Sequence, residues 1–199
     1  MAQNVIRNAI ELLVIGGSAG SLEIILKAFP ALQSTLPFAI IIVLHRKPTS
    51  NDSMLTDLLS SKTILPVIEA DEKDRIQPGH IYVAPADYHL LVEKDQTLSL
   101  DYSEKINFSR PCIDITFQTA AETYKKGLAC LLLSGASADG VEGLELVKAL
   151  GGITAVQNPK TAEVSYMPQK ALDKMTVDFI VENNEVINFV NILSAPSQE

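Results

Sequence analysis

LLVIGGSAGSLEIILKAF, residues 12–29, holds two kinds of local order on either side of a glycine-rich break. It opens on an apolar run closed by glycine, which suits a strand buried on both faces. After Gly16, Gly17, Ser18, Ala19 and Gly20, the residues Leu22, Ile25, Leu26 and Phe29 recur at helical spacing, and Pro30 supplies a stop. The stretch therefore reads as strand, tight turn, helix.

The alternation continues outward. FAIIIVLH, 38–45, is a second buried strand, and Met54, Leu55, Leu58 and Leu59 mark a helix over about 52–61. PVIEA (66–70) and HIYVAP (80–85) read as short strands. HLLVEK and TLSLDY flank Asp95 and Gln96 as an antiparallel hairpin, so this middle region is expected to be an insertion. From 111 the frame returns: helix over 111–127, strand LACLLLSG, helix over 139–150 and strand GITAVQ, after which TAEVSYMPQKALDK and a short strand, DFIVE, lead to a terminal helix over about 184–194. Buried strands joined by helices imply a three-layer αβα, doubly wound and mostly parallel sheet. No repeat or linker divides the 199 residues, so residues 1–199 are expected to form one domain.

Composition narrows the function. A net charge of -8 without a basic run argues against nucleic acid as a partner. No signal peptide is evident, and no apolar run approaches the about 20 residues that cross a bilayer, so the expected location is the cytoplasm. Cys112 and Cys130 read as buried thiols, and His45, His80 and His89 lack metal-ligand spacing, so neither metal nor cofactor is expected.

In a doubly wound sheet the ligand site lies beyond the carboxyl ends of the strands. Three strands end there in reactive polar residues, Ser18, His45 and Asp139. A hydroxyl, an imidazole and a carboxylate on one rim are the parts of a nucleophilic hydrolase: histidine takes the serine proton while the acid orients it and stabilises its cation. Residues 16–20 also match G-x-S-x-G, and the helix that follows would aim its positive end at a developing oxyanion. Each residue has a structural reading as well: Ser18 or Ser21 as a helix N-cap, Asp139 as the N-cap of the next helix, His45 as a structural strand end. Asp87 and His89, in the loop ADYH, are weaker candidates that could instead serve a turn. The order Ser, His, Asp differs from that of α/β-hydrolases.

Several motifs in a fixed order make the chain resemble the catalytic domain of CheB-type protein-glutamate methylesterases. VIGGSAGS is similar to the family's VIGASTGG, VLHRKP to VQHMP, and GHIYVAPADYHLLV to G-x-x-Y-I-A-P followed by H-L. FSRPCIDITF is similar to H-R-P-S-V-D-x-x-F, LLLSGASADG to L-L-T-G-M-G-x-D-G, and GGITAVQNPKTAEVSYMPQKAL, 151–172, to G-G-x-x-x-A-Q-D-x-x-[ST]-[AS]-x-V-x-x-M-P, with Val156 in place of the alanine. The resemblance implies a triad of Ser18, His45 and Asp139, with Gly17, Ala19, Gly20 and Ala136 in the oxyanion and substrate loops. It implies demethylation of glutamate methyl esters on chemoreceptor helices and deamidation of certain receptor glutamines. Ala19, Gly20-Ser21 and Ala136 depart from the family's threonine, paired glycines and methionine, which leaves a non-catalytic receptor-binding or scaffold module as the alternative. A phosphate-cradling nucleotide domain is disfavoured because G-x-G-x-x-G and G-K-[ST] are absent. Only about ten residues precede the first strand, so no receiver domain is expected. Control is expected from a separate response regulator or from receptor docking.

Overall fold

A computed structural model describes residues 8–48 and 54–195. Its main sheet has seven strands: β1 (Leu12–Gly17), β2 (Ala39–Leu44), β3 (Val67–Glu69), β4 (Ile81–Val83), β7 (Leu128–Leu132), β8 (Ile153–Gln157) and β9 (Phe179–Val181). Their spatial order is β3-β4-β2-β1-β7-β8-β9, and every pairing is parallel. β5 (His89–Val92) and β6 (Leu98–Asp101) form a separate antiparallel pair. The helices are α1 (Ser21–Ala28), α2 (Met54–Ser60), α3 (Ile113–Tyr124), α4 (Val141–Ala149), α5 (Tyr166–Lys174) and α6 (Val186–Leu193). The part of the expected second helix over 52–53 lies outside the described residues.

Successive side chains of a strand point to opposite faces, and the core divides accordingly. Leu13, Ile15, Ile40, Ile42, Ala129 and Leu131 pack with α1, α2 and α6 on one side. Leu12, Val14, Ile41, Val43, Cys130 and Leu132 pack with α3, α4, α5 and the β5-β6 pair on the other. These strands carry apolar residues at consecutive positions because both faces are covered. Cys112 and Cys130 are buried free thiols, as expected.

One expectation needs correction. Residues 66–70 and 80–85 belong not to the insertion but to the parallel sheet, as its β3-β4 edge. The insertion is the β5-β6 pair alone, held on α3 by hydrogen bonds from Thr116 Oγ1 to Leu90 O (2.7 Å) and from the Val92 amide to Thr119 Oγ1 (3.1 Å).

Phe117 is the wedge of the second core. It is fully buried, and a Cβ at Gly16 or Gly143 would lie 3.1 or 2.6 Å from its atoms, so both glycines are needed for α3 to approach β1 and α4. Phe117→Ala is expected to cost about 3–5 kcal/mol, read by urea denaturation. A loss under about 1 kcal/mol would mean that this face is less tightly packed than its contacts indicate.

Candidate active site

The chain runs outward from β1 through β2 to the β4-β3 edge, then resumes at β7 and runs the other way. Between β1 and β7 lies the topological switch point, and crevices of such sheets open beyond the strand ends there. Ser18 follows β1, His45 follows β2, and Asp139 follows β7 on the turn into α4. The His45 amide donates to Gly17 O (3.0 Å), which sets the ends of β1 and β2 side by side.

Ser134, at the end of β7, fixes the turn that carries Ser18. Its carbonyl accepts from the Ser18 amide (2.8 Å) and the Ser21 hydroxyl (2.7 Å), while its own hydroxyl donates to Ala19 O (2.7 Å). Gly20, at φ +82, occupies the left-handed region, and a Cβ there would meet Glu163 at 2.7 Å. Glycine is required on both counts. Neither Ser18 nor Ser21 is a helix cap: the cap position of α1 is Gly20, and Ser21 Oγ instead accepts from the Ser18 amide (3.1 Å). Because two acceptors already hold the Ser18 amide, it is not available to a bound oxyanion. The exposed Ala19 and Ala136 have amides with no protein acceptor among the described residues.

Asp139 is fully buried and ties the rim together. Its Oδ2 accepts from His45 Nε2 (2.7 Å) and the Ile113 amide (2.7 Å); its Oδ1 accepts from the Asp114 amide (3.0 Å) and the Cys112 thiol (3.0 Å). Asp139 therefore does not cap α4, whose cap position is Gly140; it satisfies the first amides of α3. Burial alone would push its carboxyl up, but the bonds from His45, Cys112 and the two amides outweigh burial and hold it down at about 2. Asp139 is thus a carboxylate at neutral pH. An ionised carboxylate only accepts, so the shared proton sits on Nε2 and the bare lone pair of the neutral imidazole is on Nδ1.

Ser18 and His45 line one cavity of about 250 Å³, together with Leu22, Leu44, Met54 and Leu58. Among the described residues Ser18 Oγ has no hydrogen-bond partner; the hydroxyl facing His45 Nδ1 is that of Ser109, at 3.3 Å. A second cavity of about 270 Å³ has His45, Asp87, Lys105, Phe108, Ser109 and Arg110 in its wall. Asp87 reaches that cavity, where it pairs with Arg110 (2.8 Å). His89 does not reach the rim: it is buried, accepts the Cys112 amide on Nδ1 (3.2 Å) and donates from Nε2 to Glu104 O (3.0 Å).

Cys112, Asp114, Asn107 and Ser109 were missed as site residues, although FSRPCIDITF already stood out as a motif. Burial, then the charge of Asp139, pushes the Cys112 thiol far up, so it keeps its proton and can donate. Asp114, also buried, accepts from the Gly143 amide (2.7 Å) and from Asn107 Nδ2 (3.0 Å). Cys112 Sγ and the two carboxylates lie within 4.8 Å of one another, a spacing a cation could bridge. A cation there would have to displace the donors that Asp139 already holds, His45 included.

Burial pushes Asp114 up to about 7, joined by the charge of Asp139 and opposed by the Gly143 amide. A carboxyl raised above its unfolded value of about 3.9 binds its proton more tightly in the fold. Its stabilising contribution is full below about pH 4 and declines as pH rises toward about 7. Asp139, lowered, contributes constantly above about pH 4 and loses its contribution as pH falls toward about 2. Urea denaturation from about pH 5 to about pH 8 should therefore show stability falling with pH, and Asp114→Asn should flatten the slope. An unchanged slope in that variant would contradict the assignment.

Comparison with known proteins agrees with this architecture. The family model described as CheB methylesterase matches residues 13–190. A relative from Leptospira interrogans is 39% identical over 88% of this chain and 91% of its own length. The protein-glutamate methylesterase/protein-glutamine glutaminase of Thermotoga maritima is 33% identical over 86% of this chain, which spans 50% of that longer protein. The crystal structure of the Thermotoga maritima CheB methylesterase catalytic domain superposes with a TM-score of 0.85 at 30% identity, covering 92% of this chain and 98% of that one. With the family's sequence pattern running from β1 into α6 and its catalytic-domain fold reproduced, this chain belongs to the CheB methylesterase family.

Proposed function

We propose that the chain is a serine hydrolase that removes methyl groups from glutamate γ-methyl esters of chemoreceptors and deamidates certain receptor glutamines. The relatives' names support the reaction. The observation that carries the reading is the imidazole of His45, held at Nε2 by a buried carboxylate while its ring borders the cavity that Ser18 lines.

In this reading Ser18 Oγ attacks the side-chain carbonyl carbon as His45 Nδ1 takes its proton. Asp139 stays ionised and stabilises the imidazolium, and the amides of Ala19 and Ala136 are the candidate donors to the tetrahedral oxyanion. Collapse breaks the ester C–O bond, and the proton on Nδ1 leaves with the methoxide as methanol. Water then attacks the acyl-enzyme and gives a proton to Nδ1, which returns it to Ser18, so glutamate is released. For a glutamine the leaving group is ammonia.

The decisive test is methanol release from a methylated chemoreceptor cytoplasmic fragment. Release dependent on the protein supports the reading. Binding of the fragment without methanol or ammonia release would overturn it in favour of a docking module of the same fold.

A further inference from the structure

His45 forms part of the wall of both cavities, one of which it shares with Ser18 and the other with Ser109. We propose that Ser109 is a positioning residue: it holds His45 by Nδ1 in the resting protein and yields that lone pair to Ser18 when substrate enters. The proposal rests on the reading of Ser18 and His45 as nucleophile and base.

Stereochemistry requires an exchange of this kind. With the Nε2 proton directed at Asp139 Oδ2, Nδ1 has one in-plane lone pair and accepts one well-aligned donor at a time. Ser109 Oγ lies 3.3 Å from Nδ1 and 3.5 Å from Asn107 O, and the hydrogen in the shorter contact must come from the hydroxyl. Ser18 Oγ, on the other cavity, has no hydrogen bond among the described residues. The base is therefore occupied by the hydroxyl that does not belong to the β1 turn.

Ser109 is held there by its neighbours. Its amide closes a turn onto Ile106 O (2.9 Å), and Asn107 and Phe108 before it have φ of 52° and 60°. Asn107 is fastened to Asp114, and Arg110 to Asp87 and to the carbonyls of Tyr102 (2.9 Å) and Ser103 (2.6 Å). With the backbone fastened on both sides, rotation of the Ser109 side chain about its Cα–Cβ bond is enough to release His45. The hand-over then needs no movement of β1 or β2.

Two readouts test this on the intact protein. In the first, a fluorophosphonate reacts with Ser18: the Oγ–P bond forms, fluoride leaves and the hydroxyl proton passes to His45. Ser109→Ala, which frees the base, is expected to raise the labelling rate about two- to tenfold, the worth of one neutral hydrogen bond, and Ser109→Thr to restore the original rate. In the second, the His45 Nδ1 resonance is followed by 15N NMR at a pH where the ring is neutral. It should move toward that of a nitrogen without a donor in Ser109→Ala and return in Ser109→Thr. A structural role for Ser109 would lower stability and move neither readout, and unchanged or slower labelling in Ser109→Ala overturns the proposal. Absence of labelling in every variant would instead count against Ser18 as nucleophile, and the NMR shift would still decide Ser109.

Discussion

Ser18→Ala is expected to lower methanol release by about a millionfold, the loss seen when a serine hydrolase is deprived of its nucleophile. Stability should change little, by under about 0.5 kcal/mol, because the side chain is half-buried and its hydroxyl bonds to nothing among the described residues. The contrast is what makes the variant informative. Ser18 and His45 line the same cavity, so a large loss of rate with little loss of stability would assign the Ser18 hydroxyl to chemistry rather than to the fold. The residual rate would come from bound substrate and oxyanion donors, so removing His45 as well should add little further loss. The measurements are single-turnover methanol release and urea denaturation side by side. An activity loss of tenfold or less would remove Ser18 from the covalent step.

Asp139→Asn should cost both activity and stability. Every partner of the two Asp139 oxygens is a donor: His45 and the Ile113 amide on Oδ2, the Asp114 amide and Cys112 on Oδ1, with Asn107 Nδ2 at 3.5 Å from Oδ1. An amide NH2 therefore faces donors whichever way it is turned. One orientation opposes the first turn of α3 and leaves a buried donor unpaired, at about 1–3 kcal/mol. The other opposes the Ile113 amide and also presents hydrogens to His45 Nε2, which must then become the acceptor, so the proton moves to Nδ1 and the base is lost. The wrong tautomer costs about ten-thousandfold in the rate of a related triad. We therefore expect kcat/KM to fall by about that factor along with a lower urea midpoint. An unchanged rate would mean that Asp139 serves only α3.

The sheet and the three rim residues were legible in the sequence because their signals are local. An all-apolar run that stops at glycine, or at a histidine after FAIIIVL, shows a buried strand and the polar residue at its carboxyl end. The β3-β4 edge was misread because a parallel pair usually needs a helical crossover and residues 70–80 contain none. That crossover instead runs as irregular chain fastened to the insertion, with the Lys73 amide donating to Leu98 O (2.9 Å) and the Ile76 amide to Gln96 O (3.0 Å). Those bonds join residues 20 or 25 positions apart, which no local pattern displays.

The surroundings of the carboxylate were hidden for a related reason. Cys112 and Asp114 read as ordinary positions at the start of α3, and their roles exist only because Asp139, more than twenty residues later, turns back onto that helix end. Ser109 is the same case: its hydroxyl reaches His45 across 64 positions of sequence. The capping readings of Ser18, Ser21 and Asp139 were sound locally, but Gly20 and Gly140 take both cap positions. Their left-handed φ values suit glycine there, which leaves the polar side chains free for other partners.

The most direct test of the site is to find which atom becomes covalently bonded. Intact protein treated with a fluorophosphonate is digested and its peptides are mapped by mass spectrometry. One adduct is expected, on Ser18, absent when the protein is first denatured and strongly reduced in Asp139→Asn. An adduct on Ser109 or another serine, or no adduct from protein that still releases methanol, would contradict it.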